Sequence, residues 1–159
     1  MKKIIIIFIC LFCFNFNAAE IVGKVIKVYD GDTVTLIDND NKIYKIRLDK
    51  IDAPERGQEF GKQSQHYLSK LVLGKTIKVH YSKIDRYKRL LGILYIDNIE
   101  VNLKMLLNGY AWHYRKYDKT PLYINAEKQA RKNKIGLWKK INPINPEMYR
   151  KMKKSKLLK

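Results

Sequence analysis

Five segments of the chain are rich in β-branched and other apolar residues. In two of them, over 43–48 and 77–81, apolar and polar residues alternate with the period of two that is typical of strands with one buried face. Turn-forming residues, Asp30-Gly31 and the Asp and Asn run over 38–41, separate the first three segments. The last segment is almost continuously apolar, which favours a strand covered on both faces. The sequence therefore predicts strands over residues 21–28, 33–37, 43–48, 77–81 and 90–96.

Three other segments repeat apolar residues at helical spacing. The stripe over 64–72 predicts a first helix that Gly74 can end, and a second helix is predicted over 101–108. A third begins with Thr120 as N-cap and continues towards Asn133. Five strands and three helices in this order match the five-stranded OB-fold barrel, although other small α+β folds share the pattern. The predicted class is α+β, predominantly β-barrel.

The N-terminal segment differs in character from the rest. Lys2 and Lys3 precede an apolar run over 4–14, and Ala18 and Ala19 close the segment, which is the layout of a secretory signal. The run is shorter than the roughly 20 residues of a membrane span, so we expect a periplasmic or secreted protein, with an uncleaved N-terminal anchor as the alternative. The predicted organisation is a signal peptide over 1–19, one domain over 20–141 and a basic, weakly ordered tail over 142–159.

The chain carries a formal charge of +18. So large an excess indicates a polyanionic partner, with nucleic acid first and an anionic envelope surface second. Charge alone does not separate the two.

Three polar stretches lie between the predicted elements. Asp30-Gly31-Asp32-Thr33 by itself predicts an ordinary hairpin turn, and Asp85-Arg86-Tyr87-Lys88-Arg89 a charged surface hairpin. Asp52-Ala53-Pro54-Glu55 places two carboxylates in a loop directly after the strand that bears Arg47. If folding gathers these carboxylates in one pocket, a bound cation or displaced pKa values must compensate their repulsion.

Together these stretches resemble the staphylococcal nuclease (thermonuclease) family. The resemblance also includes Ile46-Arg47-Leu48 and Gly136-Leu137-Trp138, and the motifs follow the family's order over about residues 21–140. It implies an OB-fold barrel with three helices and one bound Ca²⁺ ion. It also implies hydrolysis of DNA and RNA to products that end in a 3′-phosphate.

The resemblance implies a role for each matching residue. Asp32 and Asp52 look like the carboxylate metal ligands, with the backbone carbonyl of Ala53 as a third ligand. Glu55 looks like the glutamate that orients or deprotonates the attacking water. The residues implied to hold the substrate are cationic or aromatic: Arg47 and Arg89 at the phosphate, and Tyr87 at the nucleotide. Carboxylate and carbonyl oxygens suit Ca²⁺ or Mg²⁺ and disfavour zinc.

Aromatic and cationic residues interleave from Tyr110 to Tyr117, as they would on a base-stacking surface. Core packing is the alternative, and it is favoured for Trp112. We expect Tyr114, Arg115 or Tyr117 to face the substrate.

Two departures from the family pattern bear on the site. Lys88 stands where the family has a glycine before its second arginine, which affects the local turn and the aim of Arg89. The loop over 56–60 is shorter than in the type sequence of the family.

The expected protein is an exported, monomeric, Ca²⁺-dependent nuclease for DNA and RNA, with single-stranded or locally melted substrate favoured. Two alternatives remain open. The first is a non-catalytic nucleic-acid binder on the same fold, against which the joint presence of the carboxylates and both arginines argues. The second is a cationic envelope protein whose basic tail binds anionic lipid or polymer.

Overall fold

The structure is a computed structural model in which residues 19–155 are described. Apart from its last residue, the predicted signal peptide lies outside the described residues, as do the last four residues of the predicted tail. Within the described range, no helix has the length and apolar character needed to cross a membrane.

Eight strands and four α-helices follow one another along this range. The strands are β1 (Ala19–Val28), β2 (Thr33–Ile37), β3 (Ile43–Leu48), β4 (Ile51–Asp52), β5 (Thr76–Ile84), β6 (Leu90–Ile96), β7 (Ile99–Glu100) and β8 (Trp112–His113). The α-helices are α1 (Gly61–Val72), α2 (Val101–Leu107), α3 (Pro121–Lys132) and α4 (Pro146–Lys154), and a 3-10 helix covers Gly136–Lys139.

Five of the strands form a mixed barrel. β1 lies between β2 and β5, and β3 and β6 extend the sheet on either side, all in antiparallel pairs. The barrel closes where β3 runs parallel to β6, with Ile46 opposite Leu90 and Leu48 opposite Gly92. β4 and β8 make a separate short pair beside it. The predicted α+β class and five-stranded barrel are confirmed.

The prediction of three helices is wrong, because α4 forms a fourth within the segment predicted to be weakly ordered. Its N-terminus is well specified: the Asn145 side chain accepts a hydrogen bond of 2.8 Å from the backbone N–H of Met148, and Pro146 occupies the first helical position. Glu147 and Lys151 form an i,i+4 ion pair at 2.9 Å. The many lysines of this segment favoured the prediction of a weakly ordered tail, although these local helix signals are present in the sequence.

The apolar core fills the barrel and continues beneath α1 and α2. Residues such as Val34, Leu36 and Ile46 are completely buried there. β6 alternates buried and half-buried residues, so it is less fully covered than its apolar sequence predicts. Leu137 and Trp138 pack back on the domain, in a second cluster with Trp112 and Ala130.

A buried polar side chain fixes the loop that leads to β4. The Asn102 amide donates to the backbone carbonyls of Asp49 at 2.9 Å and Gly92 at 3.0 Å. Its oxygen accepts from the backbone N–H of Leu94 at 3.1 Å. Because all of these groups are buried or nearly so, the bonds tie the loop before Asp52 firmly to β6.

Candidate active site

A cleft of about 300 Å³ opens at one end of the barrel. Its wall is formed by the turn after β1, strand β3, the loop after β4, the turn between β5 and β6, and α4. Most of the residues predicted to form the site line it: Asp32, Arg47, Ala53, Glu55, Tyr87, Arg89 and Tyr114. Folding therefore brings the separate sequence motifs to one place.

Arg47 joins the two aspartates predicted to bind the metal. Its Nη1 lies 2.7 Å from Oδ1 of Asp32, and its Nη2 donates to Oδ1 of Asp52 at 2.8 Å. All three side chains are nearly buried: Arg47 is 12% exposed, Asp32 9% and Asp52 5%. We call this trio the floor of the cleft. Since one guanidinium contacts both carboxylates, the two aspartates are close neighbours.

The local sequence explains how Asp32 reaches the floor. Its Oδ2 accepts from the backbone N–H of Ala53 at 2.8 Å, which links the turn after β1 to the loop after β4. A Cβ atom at Gly31 would lie 1.9 Å from Oγ of Ser64 and 2.7 Å from Cβ of Ala53. Glycine is therefore needed here for the close approach of α1, and the Asp-Gly pair is more than an ordinary hairpin turn.

Arg150 on α4 is a residue of the site that the sequence did not reveal. Its Nη2 lies 2.9 Å from Oδ2 of Asp52, and its Nη1 contacts Oδ1 of Asp52 at 3.2 Å and Oε1 of Glu55. The signal that could have found it is the Asn145-Pro146 start of a helix. That start shows that the segment is folded and could return to the domain.

The turn between β5 and β6 holds the second predicted arginine. Nε and Nη2 of Arg89 both lie 2.7 Å from Oδ2 of Asp85, and the guanidinium also lies 5.4 Å from the centre of the Tyr87 ring. Lys88, at the family's glycine position, adopts a left-handed φ of 60°. Lys88 thus gives the turn a left-handed residue without glycine, and Asp85 holds the side chain of Arg89 in place.

The remaining predicted substrate residues divide into two groups. Tyr114 lines the cleft, where burial and then the charge of Asp52 raise the pKa of its phenol. Tyr117 packs edge-on against Tyr114 at 4.7 Å but does not line the cleft itself. Arg115 pairs with buried Glu127 at 2.8 Å and lines a neighbouring cavity.

Two carboxyl groups at the cleft, those of Asp30 and Asp52, have raised pKa values, chiefly because they are buried. Burial, followed by the charge of Asp32, raises the pKa of Asp30 to about 7. Burial also raises the pKa of Asp52; the hydrogen bond from Arg150 opposes this shift, and the charge of Asp32 adds to it. Carboxyl groups with raised pKa values gain from a nearby cation.

The donors present fit a hard divalent cation. Within residues 19–155, no group of three or more His, Cys, Asp and Glu side chains is arranged to hold a metal ion. A cation at the floor would therefore need oxygen from the backbone or from water, besides Asp32 and Asp52. Ca²⁺ and Mg²⁺ both accept such mixed oxygen ligands. The predicted set of Asp32, Asp52 and the Ala53 carbonyl is of this mixed kind.

Several known proteins with similar sequences are named as nucleases. A protein of Haemophilus influenzae named "uncharacterized endonuclease" is 41% identical over 131 residues, which cover 82% of this chain and 74% of that protein. An Escherichia coli protein of the same name is 39% identical over 154 residues, covering 96% of this chain and all of that protein. Probable staphylococcal-like nuclease CAN1 of Oryza sativa subsp. japonica is 42% identical over 114 residues, 72% of this chain and 34% of that protein.

The family model described as "staphylococcal nuclease homologue" matches residues 45–140. This range includes most of β3, the loop after β4, the turn between β5 and β6, and α3. Since the match covers more than half of the chain, and two relatives align along most of their own length, the chain belongs to the staphylococcal nuclease homologue family.

Proposed function

We propose that this endonuclease of the staphylococcal nuclease type hydrolyses both DNA and RNA, uses one bound Ca²⁺ ion and leaves products that end in a 3′-phosphate. Its family membership makes nucleic acid the substrate class. The observation that gives the strongest support is the meeting of Asp32, Glu55, Arg47 and Arg89 in one cleft, with Asp52 bound to Arg47 at its floor.

Two arginines of the cleft suit the phosphate group. Attack on a phosphodiester concentrates negative charge on the phosphoryl oxygens, and a guanidinium offers a planar, permanently charged donor to them. Arg47 stands on β3 and Arg89 at the end of the β5–β6 turn, so they approach the cleft from two different strands of the barrel. We assign both to binding the phosphate and stabilising its developing charge.

Glu55 is the group assigned to the attacking water. Its side chain is 35% exposed and lines the cleft, so water can reach its carboxylate. Glu55 accepts a proton as the water oxygen bonds to phosphorus. The bond from phosphorus to the 5′ oxygen then breaks, the 5′ oxygen takes a proton from solvent, and the phosphate remains on the 3′ oxygen.

Asp32 and Asp52, with the backbone carbonyl of Ala53, are the residues that would hold the cation. When bound, a divalent cation supplies Lewis-acid stabilisation of the phosphoryl oxygens. Tyr87 has a side chain on the outer edge of the cleft and is 63% exposed, so it can stack on an unpaired base. Such a contact favours single-stranded or locally melted substrate.

The decisive experiment measures cleavage and product ends together. The purified protein is incubated with single-stranded DNA and with RNA, in Ca²⁺ and in excess chelator. We expect cleavage of both in Ca²⁺, none in chelator, and products with a 3′-phosphate and a 5′-hydroxyl. Glu55→Gln and Arg89→Lys should each lower kcat/KM by about 10²–10³, the scale of a lost oxyanion donor.

Lys128→Gln is the matched control, because Lys128 is exposed on α3 and lies outside the cleft. This variant should retain the activity of the unsubstituted protein. Products with a 5′-phosphate would contradict the mechanism even if cleavage occurred. Undiminished activity in both Glu55→Gln and Arg89→Lys would contradict the roles assigned to these residues. Tight binding of the strand without any cleavage would favour the non-catalytic nucleic-acid binder.

A further inference from the structure

A second groove, of about 550 Å³, adjoins the cleft and shares Asp30 with it. Its walls include the side chains of Arg56, Lys62 and Lys153, which come from the loop after β4, from α1 and from α4. Three separate parts of the fold thus place a cation around one concave surface. We call this surface the basic groove.

The cations of the basic groove lack carboxylate partners. Within residues 19–155, Arg56, Lys62 and Lys153 form no salt bridge. Lys151, on the same helix as Lys153, differs from them because it pairs with Glu147 at 2.9 Å. Unpaired cations that line a concave surface raise the local concentration of anions and leave their donors available to them.

Tyr29 extends the positive surface at the edge of the groove. The ammonium groups of Lys27 and Lys45 lie 4.6 and 4.7 Å from the centre of its ring. A hydrogen bond with Thr35 lowers the pKa of the Tyr29 phenol, and both lysines add to this effect while burial opposes it. Two ammonium groups held by one ring repel one another, so a phosphate near them would relieve that repulsion.

Helix α4 connects the groove to the active site. Arg150 lines the cleft and Lys153 lines the basic groove, and residues three positions apart lie on the same face of a helix. One helix therefore presents one cation to each of two adjoining cavities. A chain of phosphates that leaves the cleft beside Arg150 would meet Lys153 next.

We propose that the basic groove binds the sugar-phosphate backbone of the single strand that flanks the bond being cut, a role that rests on the proposed nuclease function. Sequence-independent binding of this kind combines cations along a groove with aromatic rings. The groove supplies Arg56, Lys62 and Lys153 for phosphates of the strand, and Tyr29, which carries two lysines on its ring, also lines it. Strands long enough to reach the groove should therefore bind more tightly than a dinucleotide.

The test compares two triple variants that remove equal charge. The groove variant carries Arg56→Ala, Lys62→Ala and Lys153→Ala. The control variant carries Lys104→Ala, Lys128→Ala and Lys132→Ala, three exposed helical lysines that line neither cavity. Fluorescence anisotropy in chelator measures the Kd for a labelled oligothymidylate of about 12 nucleotides, within the usual range for single-strand grooves, and for the dinucleotide.

We expect the groove variant to lose about 10-fold or more in affinity for the long strand. Its loss of affinity for the dinucleotide should be several times smaller. Its slope of log K against log salt should fall by about 2, because each lost single-strand phosphate contact removes about 0.7. The control variant should change the long-strand Kd by no more than about 3-fold, through general charge alone.

Equal losses in the two variants, or equal losses on the long and short ligands, would overturn the proposal. Vesicles of phosphatidylglycerol provide a further arm: if the groove variant lost vesicle binding but kept strand binding, the groove would belong to a membrane surface and the proposal would fail. Binding is measured without cleavage, so the expected strand result in a protein that cuts nothing would support the groove and refute the nuclease mechanism alone.

Discussion

The floor and the rim of the cleft are built in different ways. The floor consists of Asp32, Arg47 and Asp52, whose side chains are 12% exposed or less and are held together by short ion pairs. The rim consists of the β5–β6 turn and Arg150 of α4; Tyr87 is 63% exposed, and the side chain of Arg150 is 39% exposed. On the floor the groups that serve the chemistry also hold the fold, whereas on the rim the two functions are separable.

The largest expected effect is the loss of the floor arginine. Arg47→Gln leaves two buried carboxylates without their shared guanidinium, so we expect the free energy of unfolding in chelator to fall by about 3 kcal/mol. Urea unfolding followed by tryptophan fluorescence measures it, since Trp112 and Trp138 are both buried. Added Ca²⁺ should recover part of the loss, because a cation restores positive charge beside the aspartates.

Arg86→Gln is the matched control on the rim. Arg86 lines the same cleft but is exposed, and its guanidinium lies 4.9 Å from the centre of the Tyr87 ring. The free energy of unfolding should change by no more than about 0.5 kcal/mol. If both substitutions cost the same stability, the contrast between floor and rim would be wrong.

A smaller effect is expected at Arg150. In the structure its guanidinium contacts both carboxylate oxygens of Asp52 and also Glu55, so it competes with a cation for the same oxygens. Arg150→Gln should therefore strengthen Ca²⁺ binding. The expected gain is about 10-fold, because the cation-free protein loses at least one charge-assisted contact that Ca²⁺ would otherwise have to displace. Calorimetric titration of the protein with Ca²⁺ measures this without any cleavage assay.

Lys151→Gln, on the same helix, controls for the general loss of positive charge. Lys151 pairs with Glu147 and contacts neither aspartate of the floor, so its removal should change the Ca²⁺ affinity by no more than about 2-fold. Weaker Ca²⁺ binding in Arg150→Gln would show that Arg150 supports the cation site and does not compete with it.

The smallest effect is expected at the rim turn itself. Lys88 has a left-handed φ of 60°, a conformation that costs a residue with a Cβ about 1–2 kcal/mol. Lys88→Gly removes that cost but adds about 0.5–1 kcal/mol of chain entropy to the unfolded state. The net gain in unfolding free energy should be about 1 kcal/mol or less, measured by urea unfolding.

Lys83→Gly tests the same change in an extended strand. Lys83 is an exposed residue of β5, where glycine should lower stability by about 0.5–1 kcal/mol. If Lys88→Gly destabilised the protein as much as Lys83→Gly, the left-handed turn would carry no strain.

Much of the fold could be predicted from local sequence. β3 and β5 contain the alternation of apolar and polar residues that predicts strands, β6 is a continuous apolar run, and Thr120 precedes α3 as the expected N-cap residue. The ends of strands were harder to predict from the sequence. β5 continues to Ile84, beyond its predicted end at residue 81. Its last three residues are exposed, so hydrophobic periodicity gives no signal for them. Backbone pairing with β6, which involves distant residues, decides where that strand ends.

The floor of the site was predictable because its residues lie in compact motifs, and the rim was predictable only in part. Arg150 lies outside the range of the family match and reaches Asp52 from a helix far along the sequence. Arg115, one of three residues of which at least one was expected to face the substrate, pairs with Glu127, a buried carboxylate of α3. Partner choice of this kind depends on tertiary packing, which residue spacing does not record.

The parallel pairing of β3 with β6 has a consequence for when the protein becomes able to act. Arg47 stands on β3, and Arg89 directly precedes β6, so the pairing of these two strands is what brings the two arginines to one cleft. Contacts between segments so far apart in sequence carry a high loop-closure cost and form slowly. A chain with every hairpin formed but an open barrel holds both arginines and has no cleft, so it cannot cut nucleic acid before folding is complete.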